Sequence, residues 1–293
     1  MRTKQPRTES EPVCLVVMDF DDTLYDWIGH FMPALDAMIH TAAPLLDITE
    51  DELRKQLKAV HEHYGNTEQP FALLETTAAQ QRFGNLPRAQ QRRALAGAFA
   101  AFDEVRATRL RLYDDVEPAF TKLQQEGIPI VGYSAAPSVN IAKRVALLGL
   151  AQYFTCIYAS PFIGKEFPGS RPVHNQDISI LEMERSKPDP GAVRRITGDL
   201  KVPPANTLFV GDSVASDIAP AVMGGAQAAL VKRQLHSAEA WMPGLLEVSH
   251  RAAETRADSV TLSDARLARV PVIDSLVGLW DHFVFHQPVF AAL

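Results

Sequence analysis

Four short stretches of the chain carry residues that could do chemistry. The first is Asp19-Phe20-Asp21-Asp22-Thr23, directly after the apolar run Val13 to Met18. Side chains alternate along a strand, so Asp19 and Asp21 point to the same side as that run ends and can share one site. The second is Ser134, followed by Ala135, at the end of the apolar run Ile130 to Tyr133. Lys187-Pro188 is the third. The fourth is Gly211-Asp212-Ser213, with Asp217 five positions beyond Asp212. Each has an ordinary structural explanation by itself: acids after a strand commonly make a turn, a serine there commonly caps a helix, and Lys-Pro alone says nothing. What sets them apart is their placement. Each lies at the C-terminal end of an expected strand or just before a helix, the edge of an open α/β sheet where ligands bind.

The elements that must hold these residues follow from periodicity and punctuation. Val13–Met18 reads as a buried parallel strand. Residues 27–111 carry helical signals and almost no strand character. Ile28, Phe31, Leu35, Met38, Ile39 and Ala42 share one helical face; Thr49 and Glu52 form a capping box, and Gly65 is a natural stop. Pro70–Phe83 and Pro87–Leu110 each open on proline and read as two further helices, for about four in all. After residue 111, strands and helices alternate. The expected strands are Pro129–Tyr133, Cys156–Ala159, Thr207–Asp212, Gln227–Val231 and an edge strand at Val270–Ile273. The expected helices are Glu117–Glu126, Pro137–Leu148, Pro190–Ile196, Ala215–Met223 and Ser275–Phe285. Residues 161–186 read as a loop or small hairpin, and 234–268 as a mostly helical surface excursion. This alternation predicts a parallel sheet covered by helices on both faces.

In their order along the chain, DFDDT, Ser134, Lys187-Pro188 and GDSVASD resemble the four motifs of the haloacid dehalogenase-like superfamily. The resemblance covers residues 13–25 and about 112–233. It implies a Rossmann-like α/β core, residues 12–26 and 112–293, behind a disordered tail at 1–11. The insert at 27–111 is similar to that superfamily's type 1 helical cap. It also implies roles: Asp19 as nucleophile and metal ligand, Asp212 as metal ligand, Asp21 as general acid and base with its backbone carbonyl on the metal, and Asp217 on the metal or its waters. Ser134, Lys187 and the backbone N–H groups of Asp21 and Ala135 would hold phosphate oxygens, and Thr23 would fix the turn. Carboxylate and carbonyl oxygens without sulfur or histidine favour Mg²⁺. Asp21 separates branches of the family, because an alkoxide leaving phosphate needs a proton and a halide does not. The expected activity is therefore hydrolysis of a small-molecule phosphate monoester through an aspartyl-phosphate. A phosphomutase and a non-catalytic binding or regulatory protein are the alternatives.

Bulk properties narrow the setting. The formal charge of -6 over 293 residues speaks against nucleic acid or an anionic membrane as partner. No apolar run is long enough to span a bilayer, and residues 1–11 lack the apolar stretch of a secretory signal. Cys14 and Cys156, the only cysteines, sit in apolar runs and suit a reducing cytoplasm. A monomer or homodimer is expected. Trp27, His30, His61, His63, Tyr64 and Arg82 could line a pocket, although helix faces in solvent are the expected place for most of them. Lys165, Arg171 and His174 populate the 161–186 loop. Trp280, Phe283, Phe285 and Phe290 are expected to complete the core.

Overall fold

The apolar run expected to be a buried strand is one: Leu15–Met18 forms β1, with all four residues buried. The computed structural model describes residues 11–164, 178–234, 236–250 and 265–288. Beside β1 lie β2 (Ile130–Pro137) and β5 (Thr207–Gly211), both parallel to it. Met18 is opposite Gly132 on one side and Val210 on the other. Outward from β2 come β3 (Phe154–Ser160) and β4 (Ile180–Glu182); outward from β5 come β6 (Gln227–Val231) and β7 (Val272–Ile273). Among the described residues this makes one seven-stranded parallel sheet, ordered β4-β3-β2-β1-β5-β6-β7. The chain steps outward from β1 on one side and then returns to fill the other. The reversal falls between β1 and its neighbours, the switch point where open α/β sheets bind ligands.

Both faces of the sheet are covered, as a parallel sheet requires. Val16, Met18, Ile130 and Val210 point into one core with Phe120 of α7 (Val116–Gln125), Ile141 and Leu276; Leu15, Val17, Val131 and Phe209 point into another with Val193, Ile196 and Ile218. The period of two in β1 therefore feeds two cores. Of the C-terminal aromatics, Phe283 is buried in the first core and Trp280 and Phe285 pack against it. Phe290 lies outside the described residues. Cys14 and Cys156 are free thiols, and burial raises the pKa of both.

Between β1 and β2 the chain is helical. Long helices α1 (Trp27–Leu46) and α2 (Glu50–Tyr64) are followed by α3 (Ala72–Glu75), α4 (Thr77–Phe83), α5 (Arg88–Ala94) and α6 (Ala96–Arg109). Thr49 accepts from Glu52 N at 3.2 Å and Gly65 closes α2 at φ 64°, as the capping signals predict. Six helices replace the four expected because two chain breaks escape the periodicity. Thr76 is extended and caps α4 through Ala79 N, and Leu95 interrupts the Pro87–Leu110 stretch.

The remaining differences are local. β2 continues through Ser134 to Pro137, with a register shift after Tyr133, so the serine lies within the strand and not beyond it. β4 lies inside the stretch read as a loop or small hairpin; one half-buried and two exposed residues carry too little pattern to mark a strand. The helix expected over Ser275–Phe285 is a 3₁₀ turn, Leu276–Gly278, and four residues of α-helix, Leu279–His282. Within 234–268, the helix His236–Val248 packs on α1 and α2, where Leu245 and Val248 are wholly buried among Leu53, Leu57 and Ile39. His61 Nδ1 meets Val248 O at 2.7 Å, and Thr67 Oγ1 meets His250 Nδ1 at 2.7 Å. The helical layer is thus held by a segment that follows β6. No helix among the described residues is long and apolar enough to cross a membrane.

Candidate active site

Asp19 leaves the sheet at its C-terminal edge, its backbone N–H still donating to Val210 O at 2.9 Å. Both carboxylate oxygens are engaged: Lys187 Nζ donates to Oδ1 at 2.5 Å and Thr23 Oγ1 to Oδ2 at 2.9 Å. Lys187 also donates to Asp217 Oδ1 at 2.7 Å and lies 4.4 Å from the centre of the Tyr133 ring. This lysine is 5% exposed, so it is a buried cation held by two buried carboxylates. Burial alone would lower its pKa, but Asp19 and Asp217 outweigh that and hold it charged.

Asp217 reaches this site through a widened turn. Residues Val214–Ile218 form a single π-helical turn, where the ordinary helix expected from Ala215 would have rotated the side chain elsewhere. Ser213 Oγ caps the turn by accepting from Ser216 N, and Ser213 N donates to Asp217 Oδ2 at 3.2 Å. Gly211 makes room for it: a Cβ there would lie 2.5 Å from the Asp217 carboxylate. Asp212 completes the group. One carboxylate oxygen from each of Asp19, Asp212 and Asp217 falls within 4.8 Å of the others. Burial first, and then mutual repulsion, push Asp212 well above the usual carboxylate range and Asp217 up to about 6, despite Lys187. An all-oxygen cluster with surplus negative charge fits a hard divalent cation.

Asp21 lies at the same edge but outside that cluster. Its Oδ1 accepts from Tyr25 Oη at 2.8 Å and from Arg144 Nη1 at 2.8 Å. Burial raises its pKa against the opposing pull of Arg144. Arg144, on α8 (Ser138–Leu147), is 2% exposed and also ion-pairs through Nη2 with Glu68, from the loop after α2. Asp22 adopts φ 56° and accepts from Trp27 N at 2.9 Å, tying the turn to the start of α1; burial pushes its pKa to about 7. Arg233, two residues past the end of β6, holds the same turn, donating to Thr23 O at 2.9 Å and to Asp115 at 2.9 Å. Ser134 is buried on β2, beside β1, where its Oγ accepts from Ala136 N at 3.0 Å; Ala135 is half-buried.

Of the residues singled out in the sequence, Asp19, Lys187, Asp212 and Asp217 therefore converge directly, while Asp21 and Ser134 share the edge through other partners. Arg144, Tyr25 and Glu68 went unpredicted. One signal was available for Arg144, a charge three residues after Ile141 on the apolar face of an amphipathic helix. His30 and His61 are buried, against the solvent-facing reading, whereas His63 and Arg82 are exposed. Lys165, Arg171 and His174 lie outside the described residues.

The geometry agrees with what the chain resembles. A family model described as haloacid dehalogenase-like hydrolase matches residues 14–225. The glyceraldehyde 3-phosphate phosphatase of Methanopyrus kandleri is 28% identical over 223 residues, covering 74% of this chain and 83% of that protein. Among solved structures, a HAD phosphatase from Thermococcus onnurineus superposes with a TM-score of 0.56 at 17% identity, covering 92% of this chain and 97% of that one. A 2-haloacid dehalogenase from Pseudomonas syringae superposes with a TM-score of 0.55 at 18% identity and the same coverage. These two structures share the fold.

Proposed function

The chain belongs to the haloacid dehalogenase-like hydrolases, and from that premise we propose that it is a magnesium-dependent phosphatase acting on a small-molecule phosphate monoester. The observation that carries this reading is the Lys187 ammonium bridging Asp19 and Asp217 beside Asp212, with Asp21 two residues beyond Asp19. The phosphatase relative from Methanopyrus kandleri supports phosphate-ester chemistry over dehalogenation, as does the acid at position 21.

Asp19 is the nucleophile. Its carboxylate oxygen bonds to phosphorus as the bond from phosphorus to the ester oxygen breaks, giving an aspartyl-phosphate and an alkoxide. Asp21 donates its proton to that alkoxide, so a neutral alcohol leaves. A water then attacks phosphorus, Asp21 takes the water's proton, and inorganic phosphate departs with the Asp19 carboxylate restored. The raised pKa of Asp21 suits the acid half of this cycle, and Arg144 suits the ionised half. Lys187 balances charge on Asp19 and on the phosphoryl oxygens, and Ser134 with the backbone N–H groups of Asp21 and Ala135 positions those oxygens. Asp19, Asp212 and Asp217, with the backbone carbonyl of Asp21, would hold Mg²⁺. When bound, the ion neutralises charge on the transferring group. The six helices of residues 27–111 act as a cap that excludes water and meets the leaving group.

The test is phosphate release from p-nitrophenyl phosphate and a panel of phosphorylated metabolites, with Mg²⁺ and with EDTA. Turnover that EDTA abolishes and Mg²⁺ restores is expected. A folded, magnesium-loaded protein that releases no phosphate from any compound would overturn the reading.

A further inference from the structure

Between α1, α6 and α8 lies a cavity of about 100 Å³. Arg144 joins this cavity to Asp21: it lines the cavity and donates to the Asp21 carboxylate at 2.8 Å. The cavity wall is aromatic, with Phe31, Phe71, Phe99 and Phe102, and its charged lining carries an excess of cations: Arg92, Arg106, Lys143 and Arg144 against Asp103, which pairs with Arg106, and Glu68, which pairs with Arg144. His30 is 1% exposed and lacks a hydrogen-bond partner at either ring nitrogen; Arg106 is 9% exposed, and its Nε has none either. Arg106 pairs with Asp103 through Nη2 at 2.6 Å only. At the exposed rim stand Lys143 and Arg92, neither of which makes an ion pair among the described residues; both lie against the Phe71 ring.

Leaving buried nitrogen donors unmatched is costly, and gathering cations around one cavity adds Coulomb repulsion. Burial lowers the pKa of Lys143, with Arg106 and Arg92 adding to the effect and Asp103 opposing it. Burial likewise lowers that of His30, with Arg144 and Arg106 adding to it. An oxyanion would relieve both costs together, accepting from the unmatched donors and neutralising the rim.

We infer that this cavity binds a second anionic group on the substrate, a carboxylate or a further phosphate at the far end of the leaving moiety. Arg106 and His30 hold it at the floor, and Lys143 and Arg92 hold it at the rim. The inference rests on the phosphatase reading and narrows it to phosphate monoesters of acids or to bisphosphates. It sets this chain apart from an enzyme for neutral leaving groups. The volume suits a group of a few heavy atoms, with the aromatic wall against the intervening carbons.

A matched set of esters tests this: glycerate 3-phosphate, glycerol 3-phosphate and propane-1,3-diol bisphosphate, assayed with the wild-type protein and with Lys143→Gln. Lys143 stands at the rim and makes no hydrogen bond or ion pair among the described residues, so the variant keeps its fold. The expected result is a kcat/KM at least about ten-fold higher for one of the two doubly anionic esters than for glycerol 3-phosphate. Lys143→Gln should reduce that preference by about ten-fold, mainly through KM. Which anionic ester wins identifies the oxyanion. Equal kcat/KM for all three, or a preference untouched by Lys143→Gln, would overturn the inference. Calorimetric binding of the same esters to Asp19→Asn, which needs no turnover, separates this from the phosphatase reading. Tighter binding of an anionic ester supports the subsite even if no ester is hydrolysed, and equal binding removes it.

Discussion

At the sheet edge, Lys187 sits between two carboxylates at 2.5 and 2.7 Å, Thr23 takes a further oxygen of Asp19, and Ser213 N takes one of Asp217. In the cavity under the helices, His30 has no hydrogen-bond partner and Arg106 only part of its complement. Both regions are buried and polar, yet one carries an excess of acids held together by Lys187, and the other an excess of bases of which His30 and the Arg106 Nε lack a hydrogen-bond partner. The hydrogen bonds to Asp19 and Asp217 fix the geometry of the first, as the proposed phosphoryl chemistry demands. An unsatisfied network costs stability until something fills it. On the proposed reading the contrast separates groups that react from groups that recognise, and substitutions in the two regions should fail in different ways.

The largest effect is expected from Lys187→Met, which leaves Asp19 and Asp217 facing each other without a counterion. Phosphate release should fall by about 10²–10³-fold through kcat. A change confined to KM would mean that Lys187 only recruits substrate. In the helical layer, Leu245→Ala should cost about 2–5 kcal/mol of unfolding free energy in a denaturant titration, because the side chain is wholly buried against α1 and α2. Its kcat at 25 °C should be unchanged.

Proton linkage gives a smaller effect with a definite sign. Asp217 and Asp22 sit at about 6 and about 7 when folded, above the ordinary carboxylate value of 3.8. Each binds its proton more tightly folded than unfolded, so its contribution is present below that ordinary value and lost as pH rises through 6 to 7. The Tm in EDTA should therefore drop relative to the Tm in Mg²⁺ across the range from about pH 4 to about pH 7. Parallel Tm curves would show that no cation relieves the cluster. The smallest effect is Tyr25→Phe, which removes one hydrogen bond to Asp21 and should lower kcat by about ten-fold or less.

The same contrast explains what could be read from the chain. Asp19 and Asp212 were legible because apolar runs end next to them, and an acid at the end of a buried strand has few places to go; Lys187 was legible only through its place in the order of the four motifs. Gly211 was visible as a residue type, but not the reason for it, since that depends on the π-turn carrying Asp217 underneath. The helical layer was legible as helices and not as a site. Arg106, Lys143 and Arg144 occupy ordinary helical positions, and only the packing of α6 and α8 around His30 gives them a shared purpose. β4 and the docking of His236–Val248 on α1 and α2 are likewise tertiary outcomes, with short or weakly patterned sequences.

The proposed mechanism turns on Asp19 as the nucleophile. Its most direct test compares phosphate release from the best ester by the wild-type protein and by Asp19→Asn in Mg²⁺, with calorimetry to confirm that both are folded. A loss of at least about 10³-fold in kcat is predicted, since the amide cannot form the aspartyl-phosphate. Activity within ten-fold of wild type in a folded Asp19→Asn would contradict it.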